Sequence, residues 1–233
     1  MFKNLSIGVL ALLLAACGAP RPRHATPHPS ESAPILNPPP AGRLYRIDES
    51  RSELRILVYR AGPLARLGHN HVMVNRSIRG EVNFGNVAGA SVFSLEVPVA
   101  GFVVDDAQAR REEGADFADP VPDDAKSGTL RNMLSTAVLD ADEFPSITVH
   151  SVATAPMDAG AGLLATVDIS VAGHESTIDL PLKLQSDADS LSATGSVEIR
   201  QSVLGLKPYS LMLGALQVQD AMTIKFQIVA ISS

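Results

Sequence analysis

Tryptophan is absent and aromatic residues make up only 4% of the 233-residue chain, so a stacking platform for bases or sugar rings is poorly supplied. Cys17 is the single cysteine, which excludes an intrachain disulfide framework and a thiolate metal cluster. No Lys- or Arg-rich block occurs and the formal charge is −6; phosphate binding needs clustered cations, so a nucleic-acid partner is not expected. Catalytic signatures are missing as well. There is no Gly-x-Ser-x-Gly elbow, no His-Glu-x-x-His, no Gly-x-Gly-x-x-Gly after a strand and no P-loop, and the segment beginning His174-Glu175 lacks the second histidine of a zinc motif. The chain therefore reads as a binding protein and not an enzyme. What is present is an interior in waiting: 45% of the residues are hydrophobic, enough for one full core and better suited to one domain than to two.

The N-terminus has the three-part plan of a secretory signal, with basic Lys3, an apolar run from Leu5 to Ala16 and then small residues. That run is too short to span a bilayer. Its end, Leu14-Ala15-Ala16-Cys17, resembles the lipobox of bacterial lipoproteins, which implies cleavage before Cys17 and lipidation of its thiol. With Gly18 next, and no acidic residue, the resemblance implies an outer-membrane anchor facing the periplasm. Residues 18–42 follow with eight prolines and no apolar periodicity, the composition of an extended, disordered tether. His24 and His28 fall in it and read as incidental polar residues. The expected organisation is a signal peptide over 1–17, a Pro-rich tether over 18–42 and one folded domain over 43–233.

In the folded part the apolar pattern has period two. Leu54, Ile56 and Val58 alternate with Glu53 and Arg55; Ile78, Val82 and Phe84 form a second strand, with Gly80 a bend or bulge. Residues 90–104 read as one long strand, with Pro98 marking an edge or bulge. Alternation lapses between Asp105 and Asp142. There a short polar helix is expected near Ala107 to Glu113 and a second near Asp123 to Val138, whose Leu130, Met133, Leu134 and Val138 share one face. Alternation returns in five further segments, for example Ile178, Leu180, Leu182 and Leu184 against Thr177, Asp179, Pro181 and Lys183. The sum is an all-β class of about eight strands with a short helical insertion. Short turns make the strands antiparallel, and either a closed barrel or a two-sheet sandwich accommodates them.

The segments YRIDESRSELRILVYRAG, GEVNF, VLDADEFPSITVHS and LSATGSVEIRQSVLGLKPYSLMLGALQVQDAMTIKFQI together resemble the YceI-like family of bacterial envelope proteins. The last segment is the most specific, through Val197, Ile199, Gly205, Val218 and Asp220; Phe144-Pro145-Ser146-Ile147 matches the family's aromatic-Pro-x-Ile strand start. The resemblance covers roughly Arg43 to Ser233 and implies a lipocalin-like antiparallel barrel that binds a long-chain isoprenoid or similar amphiphile. It implies no cofactor beyond such a lipid, and a homodimer is compatible with it. One departure limits the transfer: many relatives carry an Arg-Asp pair and a second Arg before the aromatic-Pro block, whereas this chain has only Arg131 there.

On this reading the cavity wall is expected to include Leu54, Ile56, Val97, Val99, Val167, Ile169, Leu180, Leu182, Ile224 and Phe226, with His69 and His71 at its mouth. If residues 67–74 are a strand, both histidines project to one side and are weak candidates for a metal. A tight site needs a third ligand, and His150 and His174 are poorly phased for it. The acidic residues Asp105, Asp106, Glu112, Glu113, Asp116, Asp119, Asp123 and Asp124 lack calcium-loop spacing and read as a solvated face. Two other readings stand beside the lipid carrier: a metal- or haem-handling envelope protein using His69 and His71, and a structural module whose barrel is filled by its own side chains.

Overall fold

Strand alternation is realised as twelve strands in one antiparallel sheet. The structure, a computed structural model, describes residues 42–85, 91–157 and 162–233; the lipobox with Cys17, His24, His28 and all of the expected tether before Gly42 lie outside the described residues. The strands are β1 (Gly42–Ile47), β2 (Glu53–Ala61), β3 (His71–Asn75), β4 (Arg79–Gly85), β5 (Val92–Pro98), β6 (Phe102–Val104), β7 (Ser146–Pro156), β8 (Leu163–Val171), β9 (His174–Ser186), β10 (Ser190–Arg200), β11 (Ser210–Leu211) and β12 (Leu216–Ser232). Two helices, α1 (Ala107–Glu112) and α2 (Asp123–Leu134), separate β6 from β7.

The hydrogen-bonded order β1-β4-β5-β7-β8-β9-β10-β12 returns to its start because Tyr45, Arg46 and Ile47 pair with Ser232, Ile231 and Ala230. Eight strands thus close a barrel, and closure removes the sheet edges that a sandwich would leave. The long β12 makes this feasible by pairing with β10 along one side and, on the other, with β2 over Gln217–Gln227 and with β1 beyond it. A ribbon of β2, β3 and β6 continues the wall at the end away from β1.

Three sequence expectations change here. Residues 90–104 do not form one strand: the backbone turns through a 3-10 segment at Val99–Gly101, where Val99 N–H donates to Pro145 O at 2.9 Å, so Pro98 ends β5. Gly80 sits in unbroken register opposite Leu95; its φ of +147° and the 2.1 Å that would separate a Cβ from Ser94 O make it a close-approach position, not a bulge. The second helix stops at Leu134, where Ser135 takes an extended ψ of 168°.

The core follows the period. Val58, Met73, Ile78, Val97, Val99, Phe102, Val104, Ala165, Val167, Ile169 and Val171 belong to one buried cluster inside the barrel. The β2–β3 ribbon is apolar on its outer face too: Leu57, Val72 and Val74 pack against Ala109 and Phe117 of the insertion. Each such side chain contributes about 1.5–3 kcal/mol by leaving water, which fixes the insertion on the barrel wall. A charged seam borders it, with Arg55 contacting Glu53, Glu112 and Glu113, and Lys225 contacting Glu113. Burial opposes the charge of Arg55, yet these carboxylates hold its guanidinium pKa above the ordinary value. Glu112 and Glu113 therefore anchor the insertion and do not belong to a free acidic face.

Candidate functional site

Inside the barrel is a cavity of about 450 Å³ whose wall runs from Phe84, Leu191 and Ala230 near the β1 end to Arg60, Gly68, His69 and Gln217 at the other. On β12 the lining extends from Leu216 to Ala230, about 45 Å of strand at about 3.3 Å per residue and roughly 35 Å along the axis at a strand tilt near 40°. So small a volume over that length is a narrow tunnel. It fits one extended hydrocarbon chain better than a macrocycle, and the barrel is not filled by its own side chains.

Gly195 gives a local reason for this bore. A Cβ there would lie 2.4 Å from the Phe226 ring, so the glycine opposite Phe226 lets the ring lie back against the sheet. At the β1 end, Tyr45, Leu191 and Ala230 form a buried cluster. The other end is formed by the loop 62–70 and the loop 201–215, joined by Leu64 N–H donating to Ala215 O at 2.8 Å.

Of the residues expected on the wall, Leu54, Ile56, Val97, Ile169, Leu180, Leu182, Ile224, Phe226, His69 and His71 line the cavity. Val99 and Val167 are not among its lining residues. Both are buried, at 2% and 0% exposure: Val99 because it sits in the turn after β5, Val167 because its inward side chain is covered by its neighbours in the core cluster. Lining residues outside the expected set come from α2 and the turn after it, among them Thr129, Asn132 and Met133; the helical insertion supplies a section of the wall.

The polar end of the tunnel is built on His71. Its Nδ1 lies 2.6 Å from Asp105 Oδ2 and its Nε2 3.4 Å from Thr129 Oγ1. With Asp105 ionised, Nδ1 donates and Nε2 is left toward α2 and the cavity. Asp105 also accepts from Val72 N–H at 2.9 Å and from Arg110 Nη1 at 2.6 Å. Arg110 in turn donates to the carbonyls of Asn70 and Asp119, each at 2.8 Å. The Asp105 side chain is fully buried. Burial alone would raise its pKa; the hydrogen bonds from His71, Val72 N–H and Arg110 outweigh it and hold the carboxyl below its usual range.

The sequence placed Asp105 in a solvated acidic run, and the structure corrects this. Asp105 is fully buried between His71 and Arg110, as Glu113 of the same run is buried between Arg55 and Lys225; for Asp105 the available sequence signal was Arg110, five residues beyond it. Asp106 caps α1 by accepting from Gln108 and Ala109 N–H. His69 lies outside β3, its ring centroid 6.1 Å from that of His71. His150 and His174 are exposed on β7 and β9, and among the described residues no three His, Cys, Asp or Glu side chains converge as a metal set. Arg131 is exposed on α2.

A closed antiparallel barrel around an apolar tunnel with a buried polar cluster toward one end defines a lipocalin-like binding barrel. The YceI-like domain model matches residues 45–230, and the chain belongs to that family. Among solved structures, Burkholderia cenocepacia BcnA is similar over 78% of this chain and 98% of its own, at 17% identity and a TM-score of 0.58. A polyisoprenoid-binding domain from Saccharophagus degradans, implicated in plant cell wall breakdown, is similar over 81% of this chain and 98% of its own, at 14% identity and a TM-score of 0.52. These identities establish a shared fold. No curated protein is similar to this chain at a significant level.

Proposed function

We propose that the protein is a lipid-anchored envelope carrier that holds a long-chain isoprenoid or similar amphiphile in the barrel, for storage or transport. The observation that carries this reading is the narrow aliphatic tunnel running most of the barrel's length. Apolar burial is worth about 25 cal/mol per Å², so an extended chain supplies its own affinity and is selected by length more than by identity. The family and the polyisoprenoid-binding neighbour support the same ligand class. His71, its orientation set by Asp105, would face the polar head of the amphiphile at the mouth. Anchoring through Cys17 would keep the barrel on the periplasmic side, with the outer membrane favoured by Gly18. The reading needs no cofactor and no catalytic step.

Native mass spectrometry of protein purified from bacterial cells tests it, before and after solvent extraction and after chelation. The expected result is an organic adduct that solvent removes. A chelator-sensitive metal adduct without lipid would instead favour the histidine reading, and a bare mass under every mild purification would count against a carrier.

A further inference from the structure

The loops that form the open end carry large apolar side chains turned to solvent. Leu67 is 65% exposed, Leu211 44%, Met212 73% and Leu213 fully exposed. Soluble surfaces scatter such residues singly, and a cluster of them marks an interaction site. The cluster is one feature because the loops are joined: Leu211 pairs with Leu216, and a Cβ on Gly68 would lie 2.9 Å from Leu216 Cδ1. Met212 and Leu213 both hold left-handed backbone, with φ of 50° and 57°, a conformation that bulky residues adopt reluctantly. No internal packing of Leu213 accounts for it.

Two further observations identify the partner. Leu211, Leu216, Gly68 and Arg60 belong both to this rim and to the cavity wall, so the exposed apolar surface is continuous with the tunnel. The rim segments, residues 60–71 and 201–219, contain Arg60, Arg66 and Lys207 and no carboxylate, in a chain whose formal charge is −6. Arg66 and Lys207 are exposed. Carboxylates flank these segments: Asp220 is bound by Ser202, Asp116 has its carbonyl bonded by Asn70 at 2.9 Å, and exposed Glu175 adjoins Ser176, whose hydroxyl donates to Val203 O at 2.8 Å.

We propose that this rim docks on an anionic lipid bilayer, inserting Leu67, Met212 and Leu213 between headgroups, so that an apolar chain moves between membrane and tunnel without crossing water. Apolar side chains flanked by Lys and Arg are the general composition of interfacial insertion. The docking itself does not depend on which ligand fills the barrel; only its purpose rests on the carrier reading.

Because the chain has no tryptophan, Leu213→Trp places a single fluorescent reporter on the rim. The barrel is tested as residues 42–233, since the solved neighbour BcnA matches this body over 98% of its own length and is no larger. With mixed phosphatidylglycerol and phosphatidylethanolamine vesicles, the indole emission of Leu213→Trp is expected to shift to the blue and to saturate, with binding weakened by salt. Ile231→Trp, at the opposite, β1 end of the barrel, is the control and its emission should not shift. The double variant Met212→Ser with Leu213→Ser is expected to co-sediment with vesicles roughly a hundredfold less well. It should keep the wild-type melting temperature and wild-type uptake of an apolar fluorophore such as N-phenyl-1-naphthylamine in vesicle-free buffer.

That last arm separates the two ideas: lost fluorophore uptake by the wild type would strike the carrier reading and leave docking standing. Docking is overturned if the wild-type barrel stays in the supernatant and the rim reporter shows no shift, or if the reporter at the β1 end shifts equally. It is also overturned if the rim proves to be covered by a second copy, seen as a dimer that the double variant abolishes while vesicle binding is absent.

Discussion

Replacing Asp105 by asparagine removes one charge from a site whose every partner is known. The carboxylate is fully buried and accepts from His71, Val72 N–H and Arg110 at 2.6, 2.9 and 2.6 Å. The asparagine is nearly isosteric, and asparagine tolerates the left-handed φ of 57° found there, so backbone strain does not confound the measurement. What changes is electrostatic. Arg110, with a side chain only 9% exposed, keeps its carbonyl bonds but loses its counter-ion, and one of the oxygens facing His71 or Arg110 becomes an NH2 donor facing a donor. Breaking a buried pair by removing one partner costs about 3–5 kcal/mol; the two surviving carbonyl contacts of Arg110 place the expectation near the lower bound, about 3 kcal/mol. Urea denaturation at neutral pH measures it, with an unchanged m-value as the sign that the folded and unfolded states are otherwise alike. The pH dependence is a second, independent check. The folded-state pKa of Asp105 is lowered, so its stabilisation is complete above the unfolded value of about 3.9 and disappears as pH falls through the lower folded value. The gap between wild type and variant should therefore be constant from neutral pH down to about 5 and narrow below about 4. A loss under about 1 kcal/mol at neutral pH, or a gap that widens in acid, would refute the buried-pair account.

Ile224→Trp puts a large ring into the middle of the tunnel and should reduce lipid or fluorophore uptake at least tenfold while changing stability by about 1–3 kcal/mol, read by titration beside a thermal melt. His71→Ala removes one hydrogen bond to a buried carboxylate and should destabilise by about 1–3 kcal/mol, whereas His69→Ala, outside that network, should stay within about 0.5 kcal/mol; equal effects in parallel denaturant curves would contradict the assigned roles. Cys17→Ser in the full chain should move the protein from the membrane fraction to the soluble envelope fraction on cell fractionation, and an unchanged distribution would remove the lipid anchor from the proposal.

Much of the barrel was legible because period-two alternation is a property of residues taken locally. The wall positions Leu180 and Leu182 could be phased from their own strand, and they line the cavity. Three features resisted for physical reasons. β1 is six residues with an exposed-exposed-exposed-buried pattern, too short and too polar to signal, although its pairing with β12 is what closes the ring. The break at Val99–Gly101 is invisible because turn and strand carry the same Val-rich composition. Asp105 reads as one acid among eight until folding brings β3 and α1 to either side of it, contacts 33 residues apart for Val72 and five for Arg110. The Leu211–Leu213 rim was missed for the opposite reason: apolar residues are read as core, and only the fold reveals that these face outward.

The tunnel and the rim are linked by a kinetic argument. Each buried CH2 contributes about 0.8 kcal/mol, so a chain of about twenty such groups gains about 16 kcal/mol before, and about 12 after, a minimal association cost near 4. That corresponds to nanomolar affinity for the chain dissolved in water. At an association rate of about 10⁶ per molar per second, release into water then takes on the order of ten minutes, and ten further CH2 groups lengthen it by about a millionfold at 1.4 kcal/mol per decade. A tunnel long enough to hold an isoprenoid is thus too retentive to exchange it through water on a cellular timescale. The same chain moving into a bilayer loses almost none of its apolar burial, provided the mouth touches the membrane. If the barrel carries such a chain, exchange therefore runs through direct contact between membrane and mouth, the contact that the exposed Leu67, Leu211, Met212 and Leu213 are placed to make.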